Sequence, residues 1–172
     1  MDFAIRAGAP EDAAAIAHVQ VSSWRTTYPG IVPDAYLAEL DEERFRQHWR
    51  QHLSAGEFLL FVAEDAHGVF GFITGGKLRE AIEAYDAELY AIYLLADRQA
   101  HGAGRALTLT LAASLRAAGF TSVIVWALEQ NPAVGFYRRL GATPVLRKTI
   151  QIGGADLPDL ALGWPDLHLL VP

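Results

Sequence analysis

Apolar and polar positions recur at two periods along this chain, and the changes from one to the other mark out its elements. Phe3, Ile5 and Ala7 alternate with polar or small neighbours, as a short strand does. Pro10, Glu11 and Asp12 then open a helix, with proline in the first turn and two acids at its positive end. Ile16 and Val19, three apart, give that helix an apolar side. From Ser22 to Pro33 the aromatic-rich run containing Trp24, Tyr28, Pro29 and Gly30 is too irregular for one regular element. A helical pattern resumes over Asp34 to Leu53, with a break expected near Asp41. Phe58 to Ala63 and Val69 to Thr74 read as strands joined by a turn at residues 65–68, and Glu88 to Leu95 as a third. Residues 104–118 carry Leu107, Leu111 and Leu115 on one helical stripe that ends at Gly119. Ser122 to Ala127 is an apolar strand, Asn131 to Leu140 a short helix stopped by Gly141, and Val145 to Ile152 another strand. The segment from about Leu160 to Val171 reads as a closing strand bent at Pro165. The order β-α-α-β-β-β-α-β-α-β-β predicts a mixed α/β sheet with helices on its faces.

With 172 residues and no repeat or linker, the chain is expected to form a single domain over residues 1–172. It contains no cysteine, which excludes thiol nucleophiles, Cys-ligated zinc, iron–sulfur clusters and disulfides. No apolar run approaches the ~20 residues of a membrane span, and Asp2 and Arg6 interrupt any signal-peptide core. A cytoplasmic protein without membrane partners is the expectation. His48 and His52 would share a helix face, but no third ligand is evident, so no metal site is expected.

The net charge of −6 is unevenly distributed: residues 1–86 hold 14 acids against 7 bases, and residues 87–172 hold 6 against 7. Such a chain lacks the broad basic face that duplex binding needs, so no nucleic-acid partner is expected. It suits an anionic small molecule held beside a cationic one.

The candidate chemistry centres on Gln99-Ala100-His101-Gly102-Ala103-Gly104-Arg105-Ala106, between a strand and a helix. Small residues there let the backbone approach a ligand closely, and the helix's first N–H groups with Arg105 favour an anion such as a pyrophosphate. A dinucleotide fold would want glycine at position 107, which is leucine, and a P-loop would want Gly-Lys-Ser/Thr, which is absent. AELYAIYLLADRQAHGAG, Ala87 to Gly104, resembles the first motif of the GNAT N-acetyltransferase superfamily, with Gln99, Gly102 and Gly104 at its defining positions. NPAVGFYRRLGA, Asn131 to Ala142, resembles the family's second block at the expected distance.

The resemblance implies a GNAT-like α/β fold: a mixed, mostly antiparallel central sheet with a splayed pair of strands and helices on both faces. It implies acetyl-CoA as cofactor, its pantetheine arm paired with the backbone of Ile92, Tyr93 and Leu94 and its pyrophosphate enclosed by Gln99 to Ala106. Asn131 would contact the pantetheine, although its position before Pro132 also suits a helix cap. The family's tyrosine falls on Tyr137, where the hydroxyl would meet the leaving sulfur; the spacing of Phe136, Tyr137 and Leu140 equally suits plain packing. A phenol of pKa ~10 is a weaker acid than a thiol near ~8.5, so hydrogen-bond donation to sulfur is a more defensible role than full proton transfer. Glu88, eleven residues before Gln99, falls where some members place a general base; otherwise it is a strand-end acid.

The acceptor is expected along Trp24, Tyr28, Tyr85 and Glu88, with Glu80, Glu83 and Asp86 adding negative charge. The expected reaction is direct acetyl transfer to a primary amine of a small cationic acceptor. A peptide acceptor, or a CoA-binding regulatory module without turnover, is the alternative. The apolar residues Leu160, Leu162, Trp164, Leu167, Leu169 and Leu170 suggest either a homodimer interface or closure of the chain's own core.

Overall fold

A computed structural model describes residues 2–170 of the chain. Strand β1 (Ala4–Ala7) leads into a short 3-10 turn at Pro10–Asp12 and then α1 (Ala13–Thr27). The aromatic-rich run is thus helical through Thr27, and only residues 28–33 are irregular. No proline or glycine lies between Pro10 and Pro29, and Val21 and Ser23 are buried, so packing carries the helix on. After α2 (Asp34–Ala38) the expected break occurs at Asp41, which caps α3 (Glu42–Ala55). Its Oδ1 accepts from the Glu43 amide at 2.9 Å and the Arg44 amide at 3.4 Å. Asp41→Ala is expected to cost about 1 kcal/mol of stability in urea denaturation, the usual worth of such a cap.

Strands β2 (Leu59–Asp65), β3 (Gly68–Lys77) and β4 (Ala87–Leu94) precede α4 (Ala103–Ala117), β5 (Val123–Leu128) and α5 (Ala133–Arg139). Strands β6 (Thr143–Ile152) and β7 (Ala155–Trp164) form the last hairpin. The seven strands make one sheet in the order β1-β2-β3-β4-β5-β7-β6, with only β4 and β5 parallel. Alternation along the strands supplies two apolar faces. Leu60, Val62 and Phe72 pack with Ile16, Val19 and Trp49 of α1 and α3, whereas Ile73, Leu89 and Val125 pack with Leu107, Leu111 and Tyr137 of α4 and α5.

Two features of the sheet place the site. Leu89 lies opposite Gly75 and Ala91 opposite Thr74, leaving Tyr90 as an extra residue on β4. Such a bulge bends its strand. At the same point β4 leaves β5: their parallel pairing covers only Ala87–Leu89 against Val123–Val125, while β5 continues against β7 to Leu128. Gly75 sits beside the bend, where a Cβ would fall 2.7 Å from the Glu88 carbonyl oxygen and 2.9 Å from Leu111. Only glycine lets α4 approach the sheet so closely there.

The closing segment differs from the expectation. Strand β7 ends at Trp164 because Pro165 has no N–H for the ladder, and Leu167–Leu169 then forms a 3-10 turn tied by the Leu167 amide to the Thr121 carbonyl at 2.8 Å. Val171, where the strand was expected to end, lies outside the described residues. Leu160, Leu162, Trp164, Leu167 and Leu170 are buried in the chain's own core, and only Leu169 is well exposed. All but Leu169 of the side chains that suggested a homodimer are therefore covered within the chain itself. Among the described residues no helix is long and apolar enough to cross a membrane.

Candidate active site

The glycine-rich loop turns between β4 and α4 by adopting positive φ at Ala100 (63°) and Gly102 (88°). Gly102 caps α4 without a side chain, and Gly102 O accepts from Ala106 N–H, so the first ladder bond starts there. The amides of Ala103, Gly104 and Arg105 consequently point out of the helix end, where the dipole adds positive potential. At Gly104 a Cβ would meet Phe136 at 3.4 Å and Leu94 at 3.7 Å, in ordinary contact. Gln99 Nε2 donates to the Leu94 carbonyl at 3.2 Å, which ties the loop to the end of β4.

From this loop a cleft of about 750 Å³ runs between the parted strands to the C-terminal end of α1. Ile92, Tyr93 and Leu94 form one wall, and beyond Leu89 no strand pairs with their β5-facing edge. Gln99, Ala100, Gly102, Gly104 and Arg105 line one end; Asn131 and Tyr137 lie along the β5 side. Ala103 and Ala106 belong to the helix behind that end, and His101 is exposed beside it without lining the cleft.

Tyr137 is 4% exposed, its ring edge-on to Trp164 at 6.2 Å, and its hydroxyl makes no hydrogen bond to another described residue. Burial, reinforced by neighbouring Tyr93, pushes its phenol well above the ordinary range, so it stays protonated at any working pH. Asn131 does two things at once. Its Oδ1 accepts from the Ala133 amide at 2.9 Å, fixing the start of α5, and its Nδ2 donates to the Tyr28 hydroxyl at 2.9 Å. Tyr28 lines the far end of the cleft.

Other expected acceptor residues are placed differently. Trp24 stands behind the wall, its ring tilted against Tyr28 with centroids 4.7 Å apart and its indole donating to the Tyr93 hydroxyl at 2.9 Å. Tyr85 lies on Gly163, where a Cβ would come within 2.6 Å of its ring, and does not reach the cleft. Glu88 is 2% exposed, is gripped by the Arg79 guanidinium and backbone amide, and does not line the cleft. Asp86 accepts four hydrogen bonds, from the amides and hydroxyls of Thr121 and Ser122 at 2.8–3.0 Å. Burial alone would raise that carboxyl, but these bonds outweigh it and hold it below the usual range. Glu80 pairs with Lys148 at 3.2 Å, and Glu83 is exposed. The acids expected to gather around a cation are thus distributed among separate partners.

Sequence reasoning missed Tyr90 and Trp126, which stand on the two strands that part and line the cleft. Trp126 sits in a strand that reads as wholly buried, and Lys148 lies 4.1 Å above its ring. Nothing in the local pattern distinguishes it from a core residue.

A sheet parted between two parallel strands, with a helix N-terminus aimed into the gap, defines a class. Residues 19–142 match the model of the acetyltransferase (GNAT) family, and the chain belongs to that family. It is 45% identical over 167 residues to YuaI of Bacillus subtilis (strain 168), described as an uncharacterized N-acetyltransferase, covering 96% of this chain and 95% of that protein. The protein is an N-acetyltransferase. Its fold is similar to that of an N-acetyltransferase from Staphylococcus aureus Mu50, with TM-score 0.75 at 18% identity, covering 97% of this chain and 99% of the other. It is likewise similar to yncA from Salmonella typhimurium, solved with its cofactor acetyl-CoA, with TM-score 0.73 at 19% identity, covering 97% and 95% of the two chains.

Proposed function

We propose that the protein transfers an acetyl group from acetyl-CoA to a primary amine of a small acceptor, by direct attack in a ternary complex. One observation carries this reading: the cleft passes through the sheet, so that donor and acceptor can meet from opposite ends beside Tyr137. The residues present fit the cofactor. The amides of Ala103, Gly104 and Arg105 and the Arg105 side chain suit a pyrophosphate, and the unpaired edge of β4 at Ile92 to Leu94 suits the amides of a pantetheine arm.

When bound, acetyl-CoA supplies a thioester whose carbonyl carbon the acceptor nitrogen attacks, with cleavage of the C–S bond. The chain's part is to align and to stabilise. Tyr137, locked protonated by burial, donates a hydrogen bond where negative charge grows on sulfur. Asn131 holds Tyr28 and the start of α5 in register, and its place on the wall suits a contact to the arm. With no cysteine in the chain, the usual thiol acyl carrier is absent, which favours direct transfer. Tyr28, Tyr90 and Trp126 offer aromatic walls for a methylene chain or ring. Glu88 is engaged by Arg79, and this reading gives it a structural part.

The test is calorimetric titration with acetyl-CoA, followed by a panel of amines and peptides with detection of free CoA. Micromolar binding and preferential turnover of small amines are expected. A folded sample that binds no acetyl-CoA at high micromolar concentration overturns the reading.

A further inference from the structure

Hydrogen bonds around the α1 end of the cleft run in one direction, and that direction fixes which groups still have a proton to give. Asn131 Oδ1 accepts from the Ala133 amide at 2.9 Å, and a backbone N–H can only donate. The side-chain amide is thereby oriented, so Nδ2 is the atom that faces the Tyr28 hydroxyl at 2.9 Å. Tyr28 accepts there and keeps its own proton. Tyr93 is placed in the same way: the Trp24 indole, which can only donate, reaches its oxygen at 2.9 Å. Among the described residues neither phenol proton has an acceptor. Both side chains line the cleft, and Tyr28 is 7% exposed. Ser23, Thr26 and Tyr90 line it too, but each gives its proton to a backbone carbonyl.

Burial, reinforced by the neighbouring Tyr93 and Tyr137, pushes the Tyr28 phenol far above its ordinary range. Burial likewise raises Tyr93, against the opposing bond from Trp24. Both phenols therefore remain donors at any working pH. The charge of the lining has the same sense. No aspartate or glutamate stands among the described residues that line the cleft, and its charged side chains are Arg105 and Arg139.

We infer that the acceptor is an amino acid, a small molecule whose amine is accompanied by a carboxylate, and that this carboxylate accepts hydrogen bonds from the Tyr28 and Tyr93 hydroxyls. The inference rests on the transfer reading above and names the acceptor class for the same cleft. Donors without acceptors call for lone pairs, and an ammonium has none. A carboxylate has two oxygens that only accept, and its charge makes each bond stronger than a neutral one. A polyamine would bring several positive charges into a lining that holds no acid, at a large desolvation cost. A zwitterionic amino acid carries its own counter-charge. The rings of Tyr90 and Trp126 remain to pack against its side chain.

The experiment uses the full chain, acetyl-CoA and matched acceptors: amino acids against the amines left when hydrogen replaces their carboxylate. The wild type is expected to favour the amino acid by about tenfold or more in kcat/KM. Tyr28→Phe should cut that preference about tenfold, chiefly by raising KM for the amino acid, since the bond is made in ground state and transition state alike. Comparing the ratio between the two enzymes cancels the different basicities of the amines. A wild-type preference under about threefold, or for the plain amine, overturns the inference and leaves the transfer reading standing. A Tyr28→Phe enzyme that loses equally on both acceptors overturns it too, and would assign the phenol to the thioester oxygen. That variant also takes the partner from Asn131 Nδ2. If it no longer binds acetyl-CoA, the same comparison in Tyr93→Phe decides, and an unchanged preference there overturns the inference. A wild type that binds acetyl-CoA but acetylates neither kind of acceptor overturns the transfer reading, and this inference with it.

Discussion

Tyr137→Phe is expected to lower kcat by roughly tenfold to a hundredfold while leaving acetyl-CoA affinity unchanged. The phenylalanine ring fills the same buried space and keeps its edge-on contact with Trp164 at 6.2 Å. The tyrosine hydroxyl bonds to no described residue, so its removal orphans no buried partner and costs little stability. Only the hydrogen bond to sulfur in the transition state is lost, and that loss appears in kcat rather than in cofactor binding. Because burial holds the phenol protonated across the working range, wild type and variant should share the same low-pH limb. Steady-state kinetics with calorimetry measures this. A kcat within twofold of wild type would assign Tyr137 to packing alone.

Trp164→Ala should remove about 3–5 kcal/mol of stability, a large share of the ~5–15 kcal/mol available to a domain of this kind. Trp164 is fully buried at the end of β7, so truncation opens a cavity that the rigid sheet beneath cannot collapse. Its indole also donates to the Leu140 carbonyl at 2.8 Å, just beyond the end of α5, and that acceptor would be left without this partner. Trp164→Phe retains much of the volume and should lose less. Urea denaturation gives the stability change. Weaker acetyl-CoA binding in the folded fraction is expected too, since the same ring seats Tyr137 on the cleft wall. A loss under 1 kcal/mol would show that the core closes around the gap.

The two variants probe a site whose halves were unequally visible in the sequence. The glycine-rich end was legible because its chemistry is local: the positive φ at Gly102 and the first-turn amides of α4 arise within one turn of chain. Most elements were legible for the same reason, as was the break near Asp41, which caps α3. The errors fell where distant contacts overrode the local pattern. The end of α1 stays helical because Ser23 Oγ reaches the Leu94 carbonyl at 3.0 Å and Trp24 reaches Tyr93, both some seventy residues away.

The acceptor end shows the division most clearly. Glu80, Glu83, Asp86 and Glu88 are neighbours in sequence and invite reading as one negative site. Folding turns them apart, Glu88 toward Arg79, Asp86 toward Thr121 and Ser122, and Glu80 toward Lys148, 68 residues on. Asp159, buried in the apolar strand β7, shares a face with Trp126 only through the β5–β7 register. Period and turn chemistry are properties of adjacent residues, so the sequence by itself determined most of the elements, the glycine-rich turn and the family. Which side chains meet across the sheet depends on strand pairing and on the bulge at Tyr90, which involve residues far apart in the chain, and only the tertiary structure decided them.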